Sequence, residues 1–127
     1  MENNKSKARE RLEEFVAFSK RYYNTKPIYE IVLFERAGDT YDKYGLPEHG
    51  IDDHPAFYYD LDTAIRAMNE NWGDIQDCAF HAGFVYARFP GAYSYCGPES
   101  RMYFLWDEER KGFFEAEEPN TYEHISL

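Results

Sequence analysis

The stretch Ala56 to Ile75, AFYYDLDTAIRAMNENWGDI, restricts the fold of this chain more than any other. Leu61, Ala64, Ile65, Met68, Trp72 and Ile75 fall at helical offsets, so a helix through this segment carries all of them on one stripe that must be buried. Asp60 or Asp62 can accept a hydrogen bond from a free amide of the first turn, and either charge suits a helix N-terminus. Gly73 is the expected left-handed terminator. Phe57, Tyr58 and Tyr59 just before it read as a short strand feeding the helix.

A second helix is expected from Ser6 in SKARERLEEFVAFSKRYYN, with Ala8, Leu12, Phe15, Val16, Ser19, Tyr22 and Tyr23 on one face and Pro27 ending it. Glu10, Glu13 and Glu14 alternate with Lys7, Arg9 and Arg11 on the opposite side. That pattern describes a solvated face held by weak ion pairs better than a basic arm for nucleic acid.

Ile28 to Arg36, IYEIVLFER, is apolar on both faces along Ile31 to Phe34, as a strand in the middle of a sheet should be. Ala37 to Pro55 follows without a sustained period and with three Gly and two Pro. It reads as a long loop, and loops of that length are commonly functional. Phe80 to Phe89 alternates as a strand does until Pro90-Gly91 breaks it. Arg101 to Trp106 and Phe113 to Ala116, joined by the charged turn DEERKG, give a hairpin.

These elements compose an α+β fold: one small domain over 1–127, a four- to five-stranded mainly antiparallel sheet, and two helices packed on one face. The other face is expected to show Tyr, Phe and acids to solvent or a partner. Residues 1–5 are expected to be disordered and 117–127 to form a polar tail. At 127 residues the chain can bury a core without staples. Cys78 and Cys96 are too few for a disulfide framework and are expected as free thiols. No stretch reaches the about eighteen uninterrupted apolar residues of a membrane span, and MENNKSKARE lacks a signal-peptide core, so a cytoplasmic location is expected.

Charge narrows the function classes. The net charge is −10, but residues 1–36 carry +2 and residues 37–127 carry −12. Phosphate backbones are disfavoured as direct ligands over most of the surface, whereas a basic protein is easily accommodated. Aromatic residues make up 19% of the chain, including twelve Tyr, and phenol rings are favoured contact makers.

Three constellations could carry chemistry. His49, Asp52, Asp53 and His54 in LPEHGIDDHP supply imidazole and carboxylate donors of the kind that hold a divalent metal or do acid–base work. Cys78, His81 and Cys96 offer three zinc ligands where structural sites use four. No nucleophile elbow, P-loop or dinucleotide fingerprint is present. The third constellation is an acidic aromatic surface drawn from Tyr41, Tyr44, Tyr58, Tyr59, Tyr93, Tyr95, Tyr103 and Trp106 among Asp and Glu, with Tyr41, Tyr44, Tyr103, Asp107, Glu108 and Glu109 as its expected partner-binding residues.

The expected function is therefore a non-enzymatic acidic interaction protein without a cofactor. It would be an inhibitor or nucleic-acid mimic occupying a basic site on a partner, of the kind mobile elements encode. The alternatives are a metal-dependent hydrolase built on His49, Asp52, Asp53 and His54, and a pocket under the long loop for a nucleotide-like ligand.

Overall fold

A computed structural model describes residues 5–41, 47–70, 80–90 and 98–118, of which 35–41 and 47–55 are described by their backbone alone. Helix α1 spans Lys7–Tyr23; the Ser6 hydroxyl accepts from the Arg9 amide at 3.0 Å and Asn24 closes it at a left-handed φ of 53°. It thus ends at Tyr23, four residues before Pro27. Strand β1 runs Ile28–Tyr41 and β2 runs Pro47–Tyr58. Helix α2 spans Leu61–Asn69, and β3 spans Phe80–Arg88. After a single 3-10 turn at Pro98–Ser100 come β4, Arg101–Asp107, and β5, Gly112–Glu115.

The five strands form one antiparallel sheet in the order β2-β1-β3-β4-β5. The middle strand is β3 and not the Ile28–Arg36 segment, although β1 is interior, paired on both sides. The expected loop from Ala37 to Pro55 is corrected more substantially, because residues 37–41 and 47–55 are strand and β1 with β2 makes a long ribbon. The residues that signalled a loop sit where a ladder tolerates them. Pro47 is the first residue of β2. Pro55 and His54 together oppose Val32 between the Ile31↔Ala56 and Leu33↔Asp53 pairs, and Gly50 and Ile51 oppose Glu35 between Phe34↔Asp52 and Arg36↔His49. Each is a two-against-one bulge, which asks nothing of proline's missing donor and suits glycine.

Alternation along the strands gives the sheet two apolar faces. Ile31, Leu33, Val85, Ala87, Met102, Phe104 and Phe113 face the helices, where they meet Leu12 of α1 and Leu61, Ala64, Ala67 and Met68 of α2 in one buried cluster. Both helices therefore pack on one face, as expected. Val32, Phe34, Ala82, Phe84, Tyr86 and Tyr103 form a second cluster on the opposite face, each between 0% and 5% exposed. That face was expected to present its rings to solvent; it is instead a second core layer. Phe80 breaks the alternation. Register shifts from Phe34↔Ala82 to Glu35↔Phe80, so His81 bulges and Phe80 turns into the helix-side cluster.

Of the α2 stripe, Leu61, Ala64 and Met68 are buried and Ile65 is partly so, while Trp72, Gly73 and Ile75 lie outside the described residues. Asp60 is the cap, its Oδ2 accepting from the Thr63 amide and hydroxyl at 2.9 Å each. At the other end, Asn69 Oδ1 accepts from the Phe113 amide at 3.0 Å and so ties α2 to β5. Gly112 makes room for this: a Cβ there would lie 2.7 Å from that same oxygen. No helix among the described residues is long and apolar enough to cross a membrane.

Candidate functional site

The turn between β4 and β5 carries three acids expected to meet a partner, and two of them are engaged within the turn. Asp107 Oδ1 accepts from the Glu109 and Arg110 amides at 3.0 and 3.1 Å, and Oδ2 pairs with Arg110 Nε at 2.7 Å. The Arg110 hydrogen bonds hold the Asp107 carboxyl below the ordinary carboxylate range. Glu108 accepts from Lys111 Nζ at 2.6 Å and from the Trp106 indole at 2.8 Å, and Lys111 first, then Trp106, lowers its pKa as well. Glu109 is the turn acid left for a partner, so the turn offers little uncompensated charge.

Tyr103, expected at the contact, is 5% exposed and packs in the second cluster, its ring tilted against Phe84 with the centroids 5.2 Å apart. Burial, with the charge of Glu118 second, pushes its phenol up to about 12, so it is a neutral hydroxyl at any ordinary pH. Tyr41 ends β1, with its side chain outside the described residues, as is the whole of Tyr44. His49, Asp52, Asp53 and His54 lie on β2 rather than on a shared loop, opposite or between the β1 positions given above, and their side chains are likewise outside the described residues. The same holds for Cys78 and Cys96 entirely, while His81 sits at the β3 bulge.

Among the described residues, exposed rings gather at two places. At the C-terminal end of α1, Phe18 and Tyr22 stack 6.0 Å apart, Tyr22 meets Tyr23 edge-on at 5.0 Å, and Tyr23 reaches Phe89 at 5.9 Å. Tyr22 and Tyr23, expected on the buried face, are 71% and 43% exposed because that face has run past the edge of the helix-side cluster. Lys20, Arg21 and Lys26 make this end locally basic, with no ion pair to any of them among the described residues.

The second place is the corner where β2 passes into α2. Phe57 is 54% and Tyr59 81% exposed, and they are followed by Asp60 and Asp62. Asp62 meets Arg9 at 2.9 Å, and Arg9 also reaches Glu13 at 3.1 Å. Burial opposes the charge on Arg9, but its hydrogen bonds to Glu13 and Asp62 outweigh this and leave its pKa raised. Half-buried Tyr29 feels the same carboxylates: burial first, then Asp60 and Glu13, raise its pKa. Of the rings expected on an acidic aromatic surface, Tyr59 is thus exposed at this corner, and Tyr58 is partly buried against the helix-side cluster.

A cleft of about 600 Å³ opens between the first turns of α1 and the segment that follows β5. Lys7 and Arg11 line one side, Glu115 and Glu117 the other, and Tyr103 contributes to its lining. Ser6 bridges the two sides, its hydroxyl donating to Glu115 Oε2 at 2.5 Å. Contacts between such distant parts of the chain leave no signal in local periodicity.

Comparison with protein-family models, with curated proteins and with solved structures finds no match for this chain.

Proposed function

We propose that this chain works without catalysis, as an interaction protein whose acidic aromatic surface occupies a basic site on a partner protein. The observation that carries the reading is the β2–α2 corner, where Tyr59 is 81% exposed and is followed in the chain by Asp60, the cap of α2, and by Asp62, whose side chain is 67% exposed and meets Arg9. Large rings left in water beside charge are favoured contact makers, because a ring supplies wide area at small entropic cost. The sign of the corner matches the −12 carried by residues 37–127, so long-range attraction and local contact favour the same class of partner. In its finer form, the partner is a nucleic-acid-binding protein, and the carboxylates stand where phosphates would, which makes the chain an inhibitor.

The test is affinity capture from extracts of the native host, comparing the wild-type chain with Tyr59→Ser and with Tyr22→Ser. A basic protein retained by wild type and by Tyr22→Ser, but lost from Tyr59→Ser, is the expected result. Equal retention by all three, or retention of acidic proteins, contradicts it.

A further inference from the structure

We propose that the cleft between the start of α1 and the segment after β5 binds a short peptide with both termini free, a ligand carrying an ammonium and a carboxylate together. Lys7 and Arg11, four residues apart and so on one side of the helix, line the cleft without an ion pair among the described residues. Across from them Glu117 has no partner among the described residues, and Glu115 accepts from the Ser6 hydroxyl. Glu118, the remaining acid of the lining, is neutralised by its pair with Arg101. Two cations therefore confront two carboxylates across a space of about 600 Å³, a ligand-sized volume.

A second observation is independent of the charges. Tyr103 lines the cleft and is 5% exposed, yet among the described residues nothing donates to or accepts from its hydroxyl. The ring is buried while the hydroxyl is not fully closed off, so the hydroxyl is the part of this side chain that reaches the cleft, where a ligand group can bond to it. Because this phenol stays protonated to about pH 12, it is a constant donor. A purely anionic ligand meets Glu115 and Glu117, and a purely cationic one meets Lys7 and Arg11. Only a ligand with both signs satisfies both walls. The proposal is independent of the interaction surface at Tyr59, which lies in the β2–α2 segment and contributes nothing to the cleft.

The experiment is a titration of the full chain followed by backbone amide shifts, with alanylalanine, its N-acetyl derivative, its C-terminal amide, and free L-alanine as probes. Alanylalanine should give saturable shifts confined to the start of α1, β4 and residues 115–118. Each end-blocked derivative should bind at least about tenfold more weakly, as should L-alanine, whose ammonium and carboxylate share a single carbon. The exposed double variant Lys7→Ala, Arg11→Ala and the variant Tyr103→Phe, which keeps the buried ring, should each lose about tenfold in affinity with their spectra otherwise unchanged. Absence of saturable shifts with alanylalanine, equal binding of the blocked derivatives, or unchanged affinity in either variant overturns the proposal.

Discussion

Arg101 and Glu118 form an ion pair that is nearly closed to solvent, their side chains 4% and 12% exposed, joining the start of β4 to the segment after β5. The same guanidinium lies 4.6 Å from the centre of the Phe84 ring and donates to the Tyr86 hydroxyl at 3.3 Å. It thus anchors charge on the second apolar face, where burial works against it and the Glu118 carboxylate, with Tyr86, more than compensates.

Breaking that pair from one side leaves a buried charge uncompensated. Glu118→Ala should lower unfolding free energy by about 3–5 kcal/mol, measured by urea denaturation. Replacing both members, as Arg101→Met with Glu118→Leu, should recover most of the loss, since well-packed apolar groups commonly match a buried pair. A loss below about 1 kcal/mol for Glu118→Ala would place the pair in solvent instead.

Tyr103 makes the second cluster sensitive to alkali. Its folded pKa, about 12, lies above the ordinary phenol value of 10.0, so the protonated form is favoured by folding. The stabilisation is fully present below pH of about 10 and disappears as pH rises through about 12. Stability of the wild type should fall across that window, and Tyr103→Phe should show a shallower fall. Phenolate absorbance should show one late-titrating ring fewer in the variant. Identical alkaline profiles for the two proteins would contradict the burial of this hydroxyl.

Gly83 is fixed by close packing between β1 and β3. A Cβ there would lie 2.6 Å from Leu33 Cδ2 and 2.9 Å from the Val32 carbonyl, and the backbone atom cannot swing away. Gly83→Ala should therefore cost about 1–3 kcal/mol, read from the shift in denaturation midpoint at constant slope. A neutral substitution would mean that the strands separate more easily than this register implies.

The turn acids should separate by role. Asp107→Ala removes the acceptor of two amides and should lower the melting temperature, whereas Glu109→Ala should leave it nearly unchanged. Because the folded pKa of Asp107 is lowered, its support is present above the ordinary carboxylate range and is lost as pH falls through the lowered value. The Glu109 and Arg110 amide resonances should shift in that acid range and not above it. Equal melting temperatures for the two variants would return the turn to the list of dispensable surface.

What the sequence made legible was local. The Asp60 cap and the Leu61–Met68 stripe follow from neighbouring residues, and both appear in the fold. The Ala37–Pro55 loop misled because Gly50 and Pro55 announce a break, whereas a bulge absorbs each of them inside a continuing ribbon. The orientation of Tyr103 could not be read, since alternation assigns it a face but does not say which face is covered. The cleft brings Lys7 and Arg11 to Glu117 across more than a hundred residues, and the ring exposure at Tyr59 depends on where β2 stops at the sheet edge. Neither relation is periodic, so neither had a pattern to betray it.

The most direct measurement of the central claim is the salt dependence of association between this chain and the basic protein it captures, for wild type, Asp62→Lys, Tyr59→Ser and Tyr22→Ser. Unlike charges attract over about 8 Å at physiological ionic strength, so raising salt should slow wild-type association. Asp62→Lys should lower the on-rate and flatten that dependence, whereas Tyr59→Ser should raise the off-rate by a factor equivalent to about 2 kcal/mol. Tyr22→Ser, at the basic end of α1, should leave both rates unchanged. An association indifferent to salt and to Asp62 and Tyr59, or one weakened chiefly by Tyr22→Ser, would contradict an acidic aromatic contact at the β2–α2 corner.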